Sequence, residues 1–228
     1  NAQVNGSWPD AIAGSGMAIL SFEENNHFAN KDTSIDIYSR VIECGLKYLF
    51  LTVSSMDIDA QLAGNPDVNG NGKGAFFLDG HSYSNGIALL AILAAADDES
   101  QSRSLIIPIG AYKDQSYYDF MRDAIDQIAF SQTDAGVAQR GGWQYYINTP
   151  SYGNSDNSAV QWQTLDIEAA EKTWGIFVPQ FVKNELLIWL QFSQNTEGAF
   201  GYQGPNDPTV PPNIAKTVLG NIDTLVDA

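Results

Sequence analysis

Apolar residues recur along this chain at the three-to-four-residue spacing of helices, and stretches rich in Gly, Pro, Asn and Asp interrupt them. An apolar stripe at that spacing forms one face of a helix, so the pattern predicts helices between the polar stretches. Their expected bounds are 9–24, 35–54, 82–97, 114–133, 156–175, 179–194 and 210–227. Strand signals are weak, and the polar stretches are expected to be loops.

The predicted helices are of two kinds. Residues 11–20 and 86–94 are small and apolar nearly all round, which is typical of helices that are covered on most sides. Residues 35–42 and 181–190 place polar side chains between apolar ones and predict helices with one solvated face. This alternation predicts two layers, in which outer helices wrap inner ones.

One sequence motif occurs twice in the second half of the chain. Phe130–Gln132 is followed by Gly-Gly-Trp-Gln-Tyr at 141–145, and Phe192–Gln194 is followed by Gly-Ala-Phe-Gly-Tyr at 198–202. A fainter third copy runs from 48–50 to 74–77. Such repetition indicates a repeat architecture. We therefore expect Trp143 and Phe200 to occupy equivalent positions, each packed at the turn between an outer helix and the next inner helix.

The two copies of this motif resemble the prenyltransferase/squalene-cyclase repeat, as does the segment Asp156-Asn157-Ser158 before an Ala-containing helix. The resemblance is good over about 114–227 and looser over 9–96. It implies an all-α fold, an (α/α) toroid or partial toroid of alternating inner and outer helices. It also implies one domain over 1–228, either complete or a module of a longer chain.

The composition of the chain excludes several classes of partner and indicates a location. The 228 residues include 11 Lys and Arg against 27 Asp and Glu, a net charge of −16. Nucleic acids and anionic membranes attract basic surfaces, so neither is an expected partner. The apolar runs are too short to predict a transmembrane segment. The acidic, Lys-poor composition suits an extracellular or cell-surface location, and a start at Asn1 without Met suggests a processed product.

Most of the catalytic and metal-binding motifs found in members of this family do not match this sequence. Protein prenyltransferases hold zinc with Asp, Cys and His, and this chain offers only Cys44, His27 and His81, so no zinc is predicted. Squalene-type cyclases use an Asp-x-Asp-Asp-Thr run to protonate their substrate. The acidic runs at 57–59 and 97–99 do not match that run, and polar loops are expected there.

Polysaccharide lyases that use toroids need a base such as Tyr or His beside a group that neutralises a uronate. His81 and Tyr83 are the candidates for catalysis, at the start of a predicted inner helix. Candidates for lining a ligand cavity are Tyr118, Trp143, Tyr145 and Trp162. The competing interpretation is that these aromatic residues pack the repeat.

A calcium site is predicted by the segment 67–74, Asp-Val-Asn-Gly-Asn-Gly-Lys-Gly. Oxygen ligands at alternate positions, with Gly at the sixth, match the first half of an EF-hand-like loop. The expected ligands are Asp67, Asn69, Asn71, the Lys73 carbonyl and Asp79. The alternative is a turn in which Gly and Asn serve only to adopt positive φ.

The sequence therefore favours a non-catalytic ligand-binding or assembly module of an extracytoplasmic or surface protein. Its ligand would be a carbohydrate or an apolar small molecule. Self-association, or contact with further domains of the same polypeptide, is expected because a partial ring leaves apolar helix flanks. Two alternatives stay open: a secreted, lyase-like carbohydrate-active enzyme, and a terpenoid-binding or cyclase-like protein.

Overall fold

The computed structural model describes residues 6–205 apart from positions 10, 30, 148, 149, 151 and 152. Its elements in chain order are α1 (Ala11–Glu23), α2 (Ser39–Leu51), β1 (Val53–Asp57), β2 (Lys73–Phe77), α3 (Ser82–Ala94), α4 (Glu99–Ser104), α5 (Tyr117–Ser131), α6 (Asn157–Trp174) and α7 (Gln180–Ser193). Six predicted helices are confirmed to within a few residues at each end. The helix predicted at 210–227 lies outside the described residues.

The prediction of an all-α toroid is wrong, because β1 and β2 form a two-stranded antiparallel sheet. Val53 pairs with Phe77 and Asp57 pairs with Lys73. The helix predicted over 35–54 overlaps the start of the first of these strands. Each strand has only five residues, which is too short for a two-residue period to stand out against a helical pattern. The short helix α4 was also not predicted.

Helix α3 packs between α1 and α6, and small residues allow the close approach on both sides. A Cβ atom at Gly16 of α1 would lie 2.9 Å from the carbonyl oxygen of Ile87. A Cβ atom at Gly86 of α3 would lie 2.7 Å from the Cβ of Trp162 on α6. Both distances are too short for a side chain. The burial of α3 agrees with the prediction from its small, apolar composition.

Helix α5 is buried over almost its whole circumference, including its polar residues Asp123, Asp126 and Gln127. It packs against β2, α4 and α6. The helix begins at a Ser116 cap, whose side chain accepts a hydrogen bond from the Asp119 N–H at 3.0 Å. Its position between the sheet and α6 places the buried side chains of Asp123 and Asp126 beside the loop that joins β1 to β2.

The two aromatic residues predicted to be equivalent differ in burial. Trp143 is 1% exposed and donates a hydrogen bond from Nε1 to the carbonyl oxygen of Ile128 at 2.8 Å. Phe200 is 52% exposed, so its predicted packing is wrong, although it follows the same kind of helix end. Across the described part of the chain, no helix has both the length and the apolar character needed to cross a bilayer.

Candidate functional site

Four rings are in contact beside the start of α3: His81, Tyr83, Tyr145 and Tyr146. Together with Tyr202, which interacts electrostatically with Tyr145, we call them the aromatic face. The ring centroid of His81 lies 5.4 Å from that of Tyr83, 5.2 Å from that of Tyr145 and 5.1 Å from that of Tyr146. The hydroxyl of Tyr202 lies 3.4 Å from the Ser158 Oγ. The structure thus brings His81 and Tyr83 together with Tyr145.

Backbone hydrogen bonds hold this arrangement. The Ser82 N–H donates to the carbonyl of Tyr145 at 2.9 Å, and the Ile147 N–H donates to the carbonyl of Gly80 at 2.7 Å. Gly80 has φ +67°, which glycine adopts without strain and which turns the chain from β2 into α3. The segment before α6 is therefore fastened to the start of α3, although the two are far apart in sequence.

The aromatic face is open to solvent and carries polar groups. Tyr145, Tyr146 and Tyr202 are each roughly half exposed. Nδ1 of His81 lies 3.6 Å from a carboxylate oxygen of Asp79. A hydrogen bond with Tyr83 raises the pKa of Tyr145, so this phenol stays protonated and can donate hydrogen bonds.

The other aromatic residues predicted to line a cavity lie elsewhere. Tyr118 is buried beneath Arg103, whose guanidinium carbon is 3.6 Å from the ring centroid. Trp143 belongs to the core, and Trp162 packs on α6 against Gly86. The structure does not bring these three to the aromatic face, because each fills a helix-packing position instead.

The segment 67–73 forms the compact turn expected of a cation-binding loop. The two carboxylate oxygens of Asp67 accept hydrogen bonds from the N–H groups of Gly70 at 2.8 Å and Gly72 at 2.9 Å. Both glycines have positive φ, +75° and +70°. This geometry is also that of an ordinary Asx turn, so the loop alone does not distinguish the two interpretations.

Two buried acids of α5 face this loop, and the sequence analysis missed both. Asp123 is 5% exposed, and its Oδ1 accepts hydrogen bonds from the side-chain amides of Asn69 at 2.6 Å and Asn71 at 2.9 Å. Asp126 is 2% exposed and accepts from the Val68 N–H at 3.1 Å. The available sequence signal was a pair of Asp residues three apart on a helix that is otherwise mostly apolar.

The surroundings of Asp126 shift its pKa. Burial raises the pKa of Asp126 to about 7, and the charges of Asp67 and Asp123 add to the effect. The predicted ligand Asp79 does not join them. It lies beyond the far end of β2, a strand about 14 Å long, and contacts His81 instead.

Within the described ranges, no group of three or more His, Cys, Asp or Glu side chains is arranged to hold a metal ion. The three acids at the loop, Asp67, Asp123 and Asp126, are therefore not arranged as such a group in this structure. Comparisons with family models, with curated proteins and with solved structures found no match to this chain. Its function is therefore inferred from the geometry of its own residues.

Proposed function

We propose that this protein is a non-catalytic module that binds a neutral carbohydrate on its aromatic face. The observation that carries the proposal is the cluster of half-exposed tyrosines around His81. Aromatic rings offer a flat apolar surface to the C–H face of a sugar ring, while phenol and imidazole groups hydrogen-bond its hydroxyls. A solvent-exposed group of such rings has no role in packing the core.

The same geometry favours binding over the lyase alternative. A lyase acting on uronates needs a base and a cationic group that neutralises the substrate carboxylate. The charged neighbour of His81 is the carboxylate of Asp79, which would repel a uronate. The raised pKa of Tyr145 makes that phenol a poor base at neutral pH. The net charge of −16 further favours a neutral ligand over an acidic one.

The test is isothermal titration of the full chain with cellohexaose and chitohexaose as neutral probes and with polygalacturonate as an acidic one. We expect a neutral probe to bind and the acidic polymer not to bind. The double variant Tyr145→Ala/Tyr146→Ala should lose the binding. The control Phe177→Ala removes an exposed aromatic residue from another surface and should leave binding unchanged.

Three results would contradict this proposal. The first is equal binding by the parent and the double variant, which would place the sugar elsewhere. The second is ultraviolet absorbance from unsaturated uronate products that disappears in His81→Ala, which would support the lyase alternative instead. The third is failure of both neutral probes to bind.

We also propose that the loop 67–73 and α5 bind a structural Ca²⁺. The donors would be Asp67, Asn69, Asn71, the Lys73 carbonyl and the two buried acids of α5, Asp123 and Asp126, because calcium prefers six to eight hard oxygen ligands. The supporting observation is that Asp123 and Asp126 are buried, and their described partners are amides, a phenol and a backbone N–H rather than basic side chains. Buried carboxylates without cationic partners are costly, and Ca²⁺ would neutralise them.

Calcium would serve the proposed binding role by fixing the β1–β2 loop against α5. It would supply a bound positive charge and no chemical step. An extracellular or cell-surface location is part of this proposal, and the acidic composition supports it.

A further inference from the structure

A cavity of about 580 Å³ opens between the C-terminal ends of α1 and α3 and the side of α6. This volume lies within the range of small-molecule sites, about 300–1,000 Å³. The residues that give it an apolar wall are Leu20, Phe28, Leu90, Leu93, Ala94 and Ala169. None of them belongs to the aromatic face or to the loop 67–73, so the cavity is independent of the sites described above.

Glu23 is the unusual member of the wall. It is 4% exposed, and neither of its carboxylate oxygens has a hydrogen-bond partner within the described part of the chain. It is also the last residue of α1, where the helix dipole disfavours a negative charge. Burial, with the nearby charge of Glu24, raises the pKa of Glu23 to about 9. A buried carboxyl group without a partner is destabilising, and a bound ligand would give it one.

The charges around the cavity indicate the kind of ligand. Glu24 and Asp97 also line it, and the described lining residues include no Lys, Arg or His. The other titratable group that interacts with Glu23 is the buried phenol of Tyr117 on α5. An apolar wall with an acidic end complements a molecule that has an apolar body and a positive charge.

We infer that this cavity, which we call the Glu23 cavity, binds a small molecule with an apolar body and a protonated primary amine, whose ammonium group pairs with the Glu23 carboxylate. The carboxylate oxygens of Glu23 are buried, so its side chain turns toward the cavity as the amine, already protonated, enters, and the carboxylic proton of Glu23 leaves to solvent. The bound pair is then neutral, and the apolar body of the ligand contacts the aliphatic side chains of α1 and α3.

The test uses 4-phenylbutylamine and its neutral analogue 4-phenylbutan-1-ol, titrated calorimetrically into the full chain at pH 7. We expect the amine to bind at least about tenfold more tightly than the alcohol, since a hydrogen bond to a charged group is worth about 1.5–3 kcal/mol. Titrations in buffers with different ionisation enthalpies should show release of close to one proton for each amine bound. That proton distinguishes ion pairing from burial in an apolar pocket.

Two substitutions separate the role of the Glu23 carboxylate from that of the protein's overall negative charge. Glu23→Gln should abolish both the preference for the amine and the proton release. Asp59→Asn removes a negative charge from an exposed position outside the cavity and should preserve both. Ala169→Phe should fill the cavity from α6 and abolish binding of the amine and the alcohol while leaving the circular dichroism spectrum unchanged.

The inference is overturned by any of three results. The first is equal affinity for the amine and the alcohol, or no binding of the amine by the parent. The second is loss of the preference in Asp59→Asn as well as in Glu23→Gln. The third is undiminished binding by Ala169→Phe, which decides the question even if Glu23→Gln does not fold.

Discussion

The side chain of Gln132 donates a hydrogen bond to the carbonyl oxygen of Gly141 at 2.9 Å. In the second copy of the repeated motif, the side chain of Gln194 donates a hydrogen bond to the carbonyl oxygen of Gly198 at the same distance. Both glycines have positive φ, +85° and +89°. The repeat therefore specifies how both helices end. In each copy, a Gln directly after the last turn donates a hydrogen bond to the loop that follows the helix.

The first prediction compares these two glutamines. Gln132 is buried and also donates to the carbonyl of Val182 at 3.0 Å, whereas the bond of Gln194 is exposed. Gln132→Ala would leave two buried carbonyls without this donor and should lower the free energy of unfolding by about 2–4 kcal/mol. Gln194→Ala should lower it by at most about 1 kcal/mol. Urea unfolding measures both, and equal losses would contradict the assignment.

The second prediction concerns Trp143, which fills the core and bonds to the Ile128 carbonyl. Trp143→Ala should lower the free energy of unfolding by about 3–5 kcal/mol, because it removes a large buried ring. Its counterpart in the second copy gives the control, since Phe200→Ala removes a half-exposed ring and should cost less than about 1 kcal/mol. Thermal unfolding checks this, and a Trp143→Ala midpoint close to that of the parent would show that the residue does not support the core.

The third prediction tests the calcium proposal. Adding Ca²⁺ to the chelator-treated protein should raise the free energy of unfolding, by about 2.7 kcal/mol at a hundred times the dissociation constant. Asp123→Asn should remove most of this response because Asp123 faces the loop from α5. Asp59→Asn, an exposed acid in the same inter-strand segment, should retain it. A calcium response that is absent from the parent, or undiminished in Asp123→Asn, would refute the proposed site.

The fourth prediction concerns pH and Asp166 on α6. This carboxyl group is fully buried without a hydrogen-bond partner in the described structure, and burial raises its pKa well above the usual value. The unfolded chain ionises Asp166 above about pH 4, while burial keeps the folded protein's Asp166 protonated to a higher pH. The folded state therefore binds the extra proton, and the contribution of Asp166 to stability should fall as pH rises from about 4, by at most about 1.4 kcal/mol per pH unit.

Asp166→Asn should remove this contribution. The variant should be less stable than the parent, or equal to it, near pH 4 and progressively more stable than it between about pH 5 and 7. Denaturant unfolding across that range measures the difference. Leu165, which is partly exposed on the same helix, provides the control through Leu165→Gln, whose difference from the parent should not change with pH. A constant difference for Asp166→Asn would show that the group is ionised in the folded protein.

Local sequence determined the helices of this protein. Apolar periodicity and end signals such as the Asp156 cap, which accepts a hydrogen bond from the Ala159 N–H at 2.9 Å, act within a few residues and can be recognised in the sequence alone. The small, apolar composition of residues 86–94 likewise predicted the burial of α3. The positive φ of Gly70 and Gly72 agrees with the turn that their sequence indicates.

Tertiary structure decided what these local signals could not. The pairing of β1 with β2 depends on contacts between segments separated by a long loop, and each strand is too short to have a clear period of its own. The meeting of His81 with Tyr145, of Asp123 with Asn69, and of Glu23 with the apolar wall of its cavity depends on how whole helices pack. Burial turns these polar residues into sites because it removes water, and the sequence does not reveal which polar residues a fold will bury.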